Sequence, residues 1–165
     1  MRFLILALFL TACGVIPRLP IRSEPAGTKN EDAGVANGER IYFTAANSRG
    51  ERIPYSGGPP FGGMMMGSYL TCAACHGPEA RGGTHVMHMQ VMDAPDIRYA
   101  ALSAEAGEHG AGEMEEHGEY DLEDFRLAVV EGKHPDGEPL NRNMPRWQMS
   151  DENLADLFDY LKAIP

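Results

Sequence analysis

The sequence predicts an all-α domain whose helices are joined by long glycine- and proline-rich loops and which carries a short Cys-x-x-Cys-His turn. Three observations lead there. Leu154, Leu157, Phe158 and Leu161 recur at i, i+3, i+4 and i+7, the stripe of an amphipathic helix with one buried face. Shorter helical patterns occupy residues 36–43 and 122–131. No stretch carries a convincing strand alternation, and there is no internal repeat.

The chain opens on an address. Arg2 is a positive flank, Phe3 to Leu10 is a short apolar core, and Leu10-Thr11-Ala12-Cys13 follows. This resembles the lipobox of bacterial lipoproteins and implies removal of residues 1–12 and lipidation of Cys13. An ordinary secretory signal would instead leave a free thiol in an oxidising compartment, which is disfavoured. More than one acyl chain gives a stable anchor. Gly14, not Asp, comes after Cys13, and the choice between inner and outer membrane stays open. Residues 13–35 hold Pro17, Pro20, Pro25, Gly27 and Gly34 with few large apolar side chains, so they read as a lipid-anchored flexible linker. A linker of about 20 residues keeps a domain roughly 25 Å from the bilayer. Residues 36–165 are then the folded domain.

Within that domain, Asn37 is a possible cap for a first helix over 36–43, and Ile41 and Tyr42 give it apolar surface. Gly38 and Tyr42 share a face. A glycine there costs helix stability unless another helix crosses closely, and the C-terminal helix is the expected partner. Asp121 caps a helix over 122–131, with Leu122, Phe125 and Val129 inward and Gly132 as its stop. Ser150 caps the last helix, and Asp151 and Glu152 place negative charge in its first turn, where the dipole favours it. Tyr160 lies beside the buried stripe, within reach of the first helix.

The chemistry centres on Cys72-Ala73-Ala74-Cys75-His76. Two cysteines three apart in a helical turn project from one face, so both sulfurs can bond the two vinyl groups of one haem, and His76 follows as the proximal iron ligand. A structural zinc site would need a second ligand pair. A thioredoxin-like site would need alternating strands and helices around the motif. The sequence supplies neither. Haem propionates would add to a formal net charge of −10, which disfavours nucleic acid and anionic lipid surfaces and suits a basic docking face on a redox partner.

With these residues in view, the sequence resembles the class I (monohaem) cytochromes c. The resemblance rests on the first helix, on Cys72 to Gly77, and on Asn143-Met144-Pro145-Arg146-Trp147 leading into the last helix. It implies an all-α class I cytochrome c fold around one covalent haem c, with Met144 as the iron ligand opposite His76. Met149 is the rival, but it abuts the helix cap and has little freedom to turn back, whereas Met144 precedes a proline that fixes an extended backbone. The resemblance further implies that the Pro95 carbonyl accepts a hydrogen bond from the proximal imidazole, fixing its tautomer. Arg146 and Trp147 become candidates for hydrogen bonds to a haem propionate.

Two features depart from the family pattern. Residues 44–71 form a long insertion rich in Gly and Pro, with a small hairpin expected around Ser48-Arg49-Gly50-Glu51 and with Met64, Met65 and Met66 expected against the haem edge. The run His85-Val86-Met87-His88-Met89-Gln90-Val91-Met92, with His109, Met114 and His117 beyond it, supplies imidazoles and thioethers that suit Cu(I). The simpler reading makes the methionines haem-pocket lining and the acidic, glycine-rich run from Ala104 to Tyr120 a solvated loop. The functional expectation is an electron carrier without catalytic machinery, tethered on the periplasmic side and serving a membrane respiratory complex. The competing readings are a haem enzyme or gas sensor with a displaceable sixth ligand, and a copper-handling haem lipoprotein.

Overall fold

The structure is a computed structural model that describes residues 28–59, 70–87, 90–109 and 119–165. The expected signal segment, Cys13, Met64–Met66, His88, Met89, Met114 and His117 lie outside the described residues. The described residues form five α-helices: α1 (Thr28–Thr44), α2 (Cys72–His76), α3 (Tyr99–His109), α4 (Leu122–Arg126) and α5 (Asp151–Ala163). They also form four short strands, β1 (Tyr55–Gly57), β2 (Gly83–Met87), β3 (Gln90–Ala94) and β4 (Pro145–Trp147).

The main packing unit is the crossing of α1 and α5. Leu154, Leu157, Phe158 and Leu161 are buried, as their spacing requires, and meet Ile41 and Tyr42. Gly38 lies where the helices touch. A Cβ there would overlap the Asp156 carbonyl and come within 2.8 Å of Tyr160 Cβ. Tyr160 packs on Tyr42 with ring centroids 5.4 Å apart. Phe158 continues the aromatic layer to Phe125, stacked at 5.1 Å.

Several expectations need correction. The first helix begins at Thr28, well before Ala36, so the end of the expected linker is helical. Gly34 belongs to the crossing, since a Cβ there would lie 2.8 Å from Asp156 Oδ1. Asn37 is a buried residue in the middle of α1, not its cap. Its amide donates to Asp156 Oδ2 at 2.6 Å and Asn153 Oδ1 at 3.2 Å, and its Oδ1 accepts from the Ser48 amide at 2.5 Å. One side chain thus ties both helices to the following turn.

The fold is also not purely α. β2 and β3 pair as an antiparallel hairpin, from Gly83 opposite Ala94 to Met87 opposite Gln90. β1 pairs with β4, placing Tyr55 opposite Trp147 and Gly57 opposite Pro145. These ladders are three to five residues long. One joins segments far apart in the chain, so periodicity alone does not reveal it. The helix expected over 122–131 keeps its Asp121 cap, now a reciprocal box with Asp124, but widens into a π-helical turn at Leu127–Glu131. Helix α3 takes in the start of the run read as an acidic loop, because Ala100, Ala101, Leu102 and Ala104 are strong helix formers. The expected turn at 48–51 is present: Gly50 donates to the Asn47 carbonyl at 2.9 Å, and Ala46 bridges Arg52.

Replacing Gly38 by Ala forces backbone apart at the crossing and is expected to cost about 1–3 kcal/mol. Thermal unfolding of the holo-protein followed by circular dichroism measures it, and an unchanged midpoint would show that the two helices do not approach at this point.

Candidate haem site

Helix α2 is a single turn with defined ends. Thr71 caps it by accepting from the Ala74 amide at 3.1 Å. Gly77, with φ of +75°, turns the chain out while its amide bonds Ala73 O at 3.0 Å. Cys72 and Cys75 are free thiols, both half-buried, and burial pushes Cys72 up to about 12 and raises Cys75. The α1–α5 unit reaches this turn through Tyr42, whose hydroxyl donates to the Gly77 carbonyl at 2.6 Å. Burial, and then the neighbouring Cys72, hold the Tyr42 hydroxyl protonated well above its ordinary range, so it stays a donor.

His76 is buried, and its Nδ1 lies 2.9 Å from the Pro95 carbonyl oxygen. A carbonyl only accepts, so Nδ1 carries the proton and Nε2 keeps its lone pair. Burial lowers the pKa of His76, against the opposing pull of the Pro95 carbonyl. The imidazole is therefore neutral, as a metal ligand must be. The approach of Pro95 depends on a residue that the sequence reading missed. Gly82, with φ of +65°, lies so close that a Cβ there would overlap the carbonyls of Ala94 and Pro95. Its amide donates to the His76 carbonyl at 2.9 Å, and the Ile97 amide donates to Ala80 O at 2.9 Å. The two segments on either side of the hairpin are thus pinned together, and the hairpin itself loops out between His76 and Pro95.

Met144 and Met149 are both half-buried against the core. Met144 stands at the end of a tight turn, with its amide on Asn141 O at 2.9 Å, and runs directly into β4. Here the insertion has a structural part. β1 pairs with β4, the Gln148 amide donates to Pro54 O at 2.8 Å, and Tyr55 packs on Trp147 at 5.1 Å. Trp147 is buried in this contact. The Arg146 guanidinium donates to the main-chain carbonyls of Met144 and Leu140.

Of the candidate copper ligands, His85 and Met92 stand opposite each other across the hairpin. His85 Nε2 is buried without a hydrogen-bond partner. Among the described residues, no group of three or more His, Cys, Asp or Glu could hold a metal ion.

A Cys-x-x-Cys-His turn tied through Tyr42 to a crossed helix pair, with the imidazole neutral and the lone pair on Nε2, defines a scaffold for a covalently attached haem. The chain belongs to the cytochrome c family: the family model described as Cytochrome c matches residues 35–165. It therefore takes one covalent haem c, and the arrangement of α1, α2 and α5 is the class I cytochrome c fold. Neither a curated protein nor a solved structure gave a significant match. The residues present fit the group: two thiols on one turn, a neutral imidazole with a free nitrogen, and a thioether on a braced loop.

Proposed function

We propose that this cytochrome is an electron carrier in which His76 and Met144 hold the haem iron from opposite sides and Cys72 and Cys75 supply the two thioethers. The observation that carries this reading is the bond from His76 Nδ1 to Pro95 O, which commits one ring nitrogen to the protein and leaves the other for iron. Bound haem supplies a one-electron Fe(III)/Fe(II) couple. The chain contributes the rest. Pro95 orients the imidazole and raises its basicity. Gly82 allows that approach, and Tyr42 holds the turn from the α1 side. The thioether of Met144 favours the ferrous state and raises the potential. With protein ligands on both faces, no position is left for a substrate, which supports a carrier over an enzyme.

The acidic surface, with a net charge of −10, suits a redox partner with a basic docking face. In this reading Cys13 carries lipid and tethers the domain on the periplasmic side of a bacterial membrane, within reach of a respiratory complex.

Met144→Ala is expected to lose the weak near-infrared Fe–S absorption of the ferric protein. Its potential should fall by on the order of 0.1 V or more, within the roughly 0.8 V span that axial ligands command. Carbon monoxide should bind the reduced variant rapidly and the parent hardly at all. Persistence of the absorption in the variant excludes Met144 as the ligand. For the anchor, Cys13→Ser should abolish incorporation of labelled fatty acid; a variant still lipidated and membrane-bound refutes the tether.

A further inference from the structure

The loop that presents Met144 is held by a residue whose part is visible only in three dimensions. Arg146 stands two residues beyond Met144 on β4, and its guanidinium turns back along the loop. Nη1 donates to the carbonyl of Met144 and Nη2 to the carbonyl of Leu140 at 3.3 Å. Leu140 is in turn anchored by its amide to the Gly132 carbonyl at 2.8 Å. One side chain therefore spans both ends of the turn that delivers the thioether. The space it uses is specific. Gly132 ends the π-helical turn with φ of +72°, and a Cβ there would overlap Nε and Cζ of Arg146. The guanidinium passes over bare backbone.

We infer that Arg146 is the positioning residue of the sixth ligand: it clamps the carbonyls of Leu140 and Met144 over Gly132 and so keeps the loop closed with the thioether in place. The inference rests on Met144 being the ligand. Its physical basis is a population argument. A thioether on a loop competes with its own detached state, and an external ligand binds only the detached state, in proportion to its population. Hydrogen bonds from a charged donor are the strong ones, and a planar fork satisfies two carbonyls at once. A lysine ammonium is a point charge on a flexible stem and does not reproduce the fork.

The test is imidazole binding to the ferric, full-length holo-protein, read beside the near-infrared Fe–S absorption. Arg146→Met keeps the bulk and removes the donors. It is expected to raise the apparent affinity for imidazole about tenfold or more and to weaken the absorption. Arg146→Lys should show a smaller rise. Gly132→Ala, which displaces the guanidinium while Arg146 remains, should show a rise as well, and these two variants decide the matter if Arg146→Met does not mature. Leu161→Ala, a core truncation in α5, should lower the melting temperature but change imidazole affinity by less than twofold. The inference is overturned if the Arg146 and Gly132 variants bind imidazole within twofold of the parent, or if Leu161→Ala raises affinity as much as they do. Met144→Ala separates the two ideas. If it binds imidazole no more tightly than the parent, the ligand assignment fails and the inference with it. If it binds at least tenfold more tightly while Arg146→Met is unchanged, only the inference fails.

Discussion

The hydrogen bond from His76 Nδ1 to the Pro95 carbonyl is the constraint around which the rest is arranged. It spans nineteen residues of chain, and between its ends lies a hairpin that must close on itself for the two to meet. The closure is achieved by backbone pairing along β2 and β3 and by a glycine, Gly82, that admits the Pro95 carbonyl where any side chain would exclude it. A buried imidazole with no such partner would leave its tautomer free and its ring unoriented.

A second layer of support comes from the opposite direction. The α1–α5 crossing is a dense apolar contact, and the absence of a side chain at Gly38 brings Tyr42 and Tyr160 together. Tyr42 then hands that rigidity to the haem motif through one hydrogen bond to Gly77. The Asn37 network adds directional bonds at the same crossing, linking α1, α5 and the turn after α1. Hydrophobic burial supplies most of the stability of such a contact, while the polar bonds fix its register. Core and cofactor turn are therefore mechanically continuous.

Much of this was legible in the sequence, for physical reasons. The stripe of α5, its Ser150 cap, the Asp121 cap and the Gly38–Tyr42 face are local patterns, and local geometry decides them. The Cys-x-x-Cys-His spacing is dictated by a single helical turn. The Pro95 contact came from family resemblance, since nothing local reveals which carbonyl an imidazole will meet. What stayed hidden depends on non-local pairing. β1 and β4 are three residues each and are separated by most of the domain. Asn37 has the residue type of a cap, yet its side chain bonds to Asn153 and Asp156 on α5 and to the Ser48 amide. Gly82 carries no local signal at all, and Gly132, legible as the stop of its helix, gives no sign of the guanidinium that passes over it. Helix α1 extended further back than expected because two glycines read as linker when one, Gly34, was a crossing residue.

Proton NMR of the reduced holo-protein probes most directly whether iron is held between His76 and Met144. A thioether bound above a porphyrin has its methyl group carried far upfield by the ring current, clear of every other methyl resonance. The expected result is one such methyl signal, assigned to Met144 by its absence from the Met144→Ala spectrum. A spectrum without an upfield methionine methyl, or one whose signal belongs to Met149, would contradict the arrangement described here.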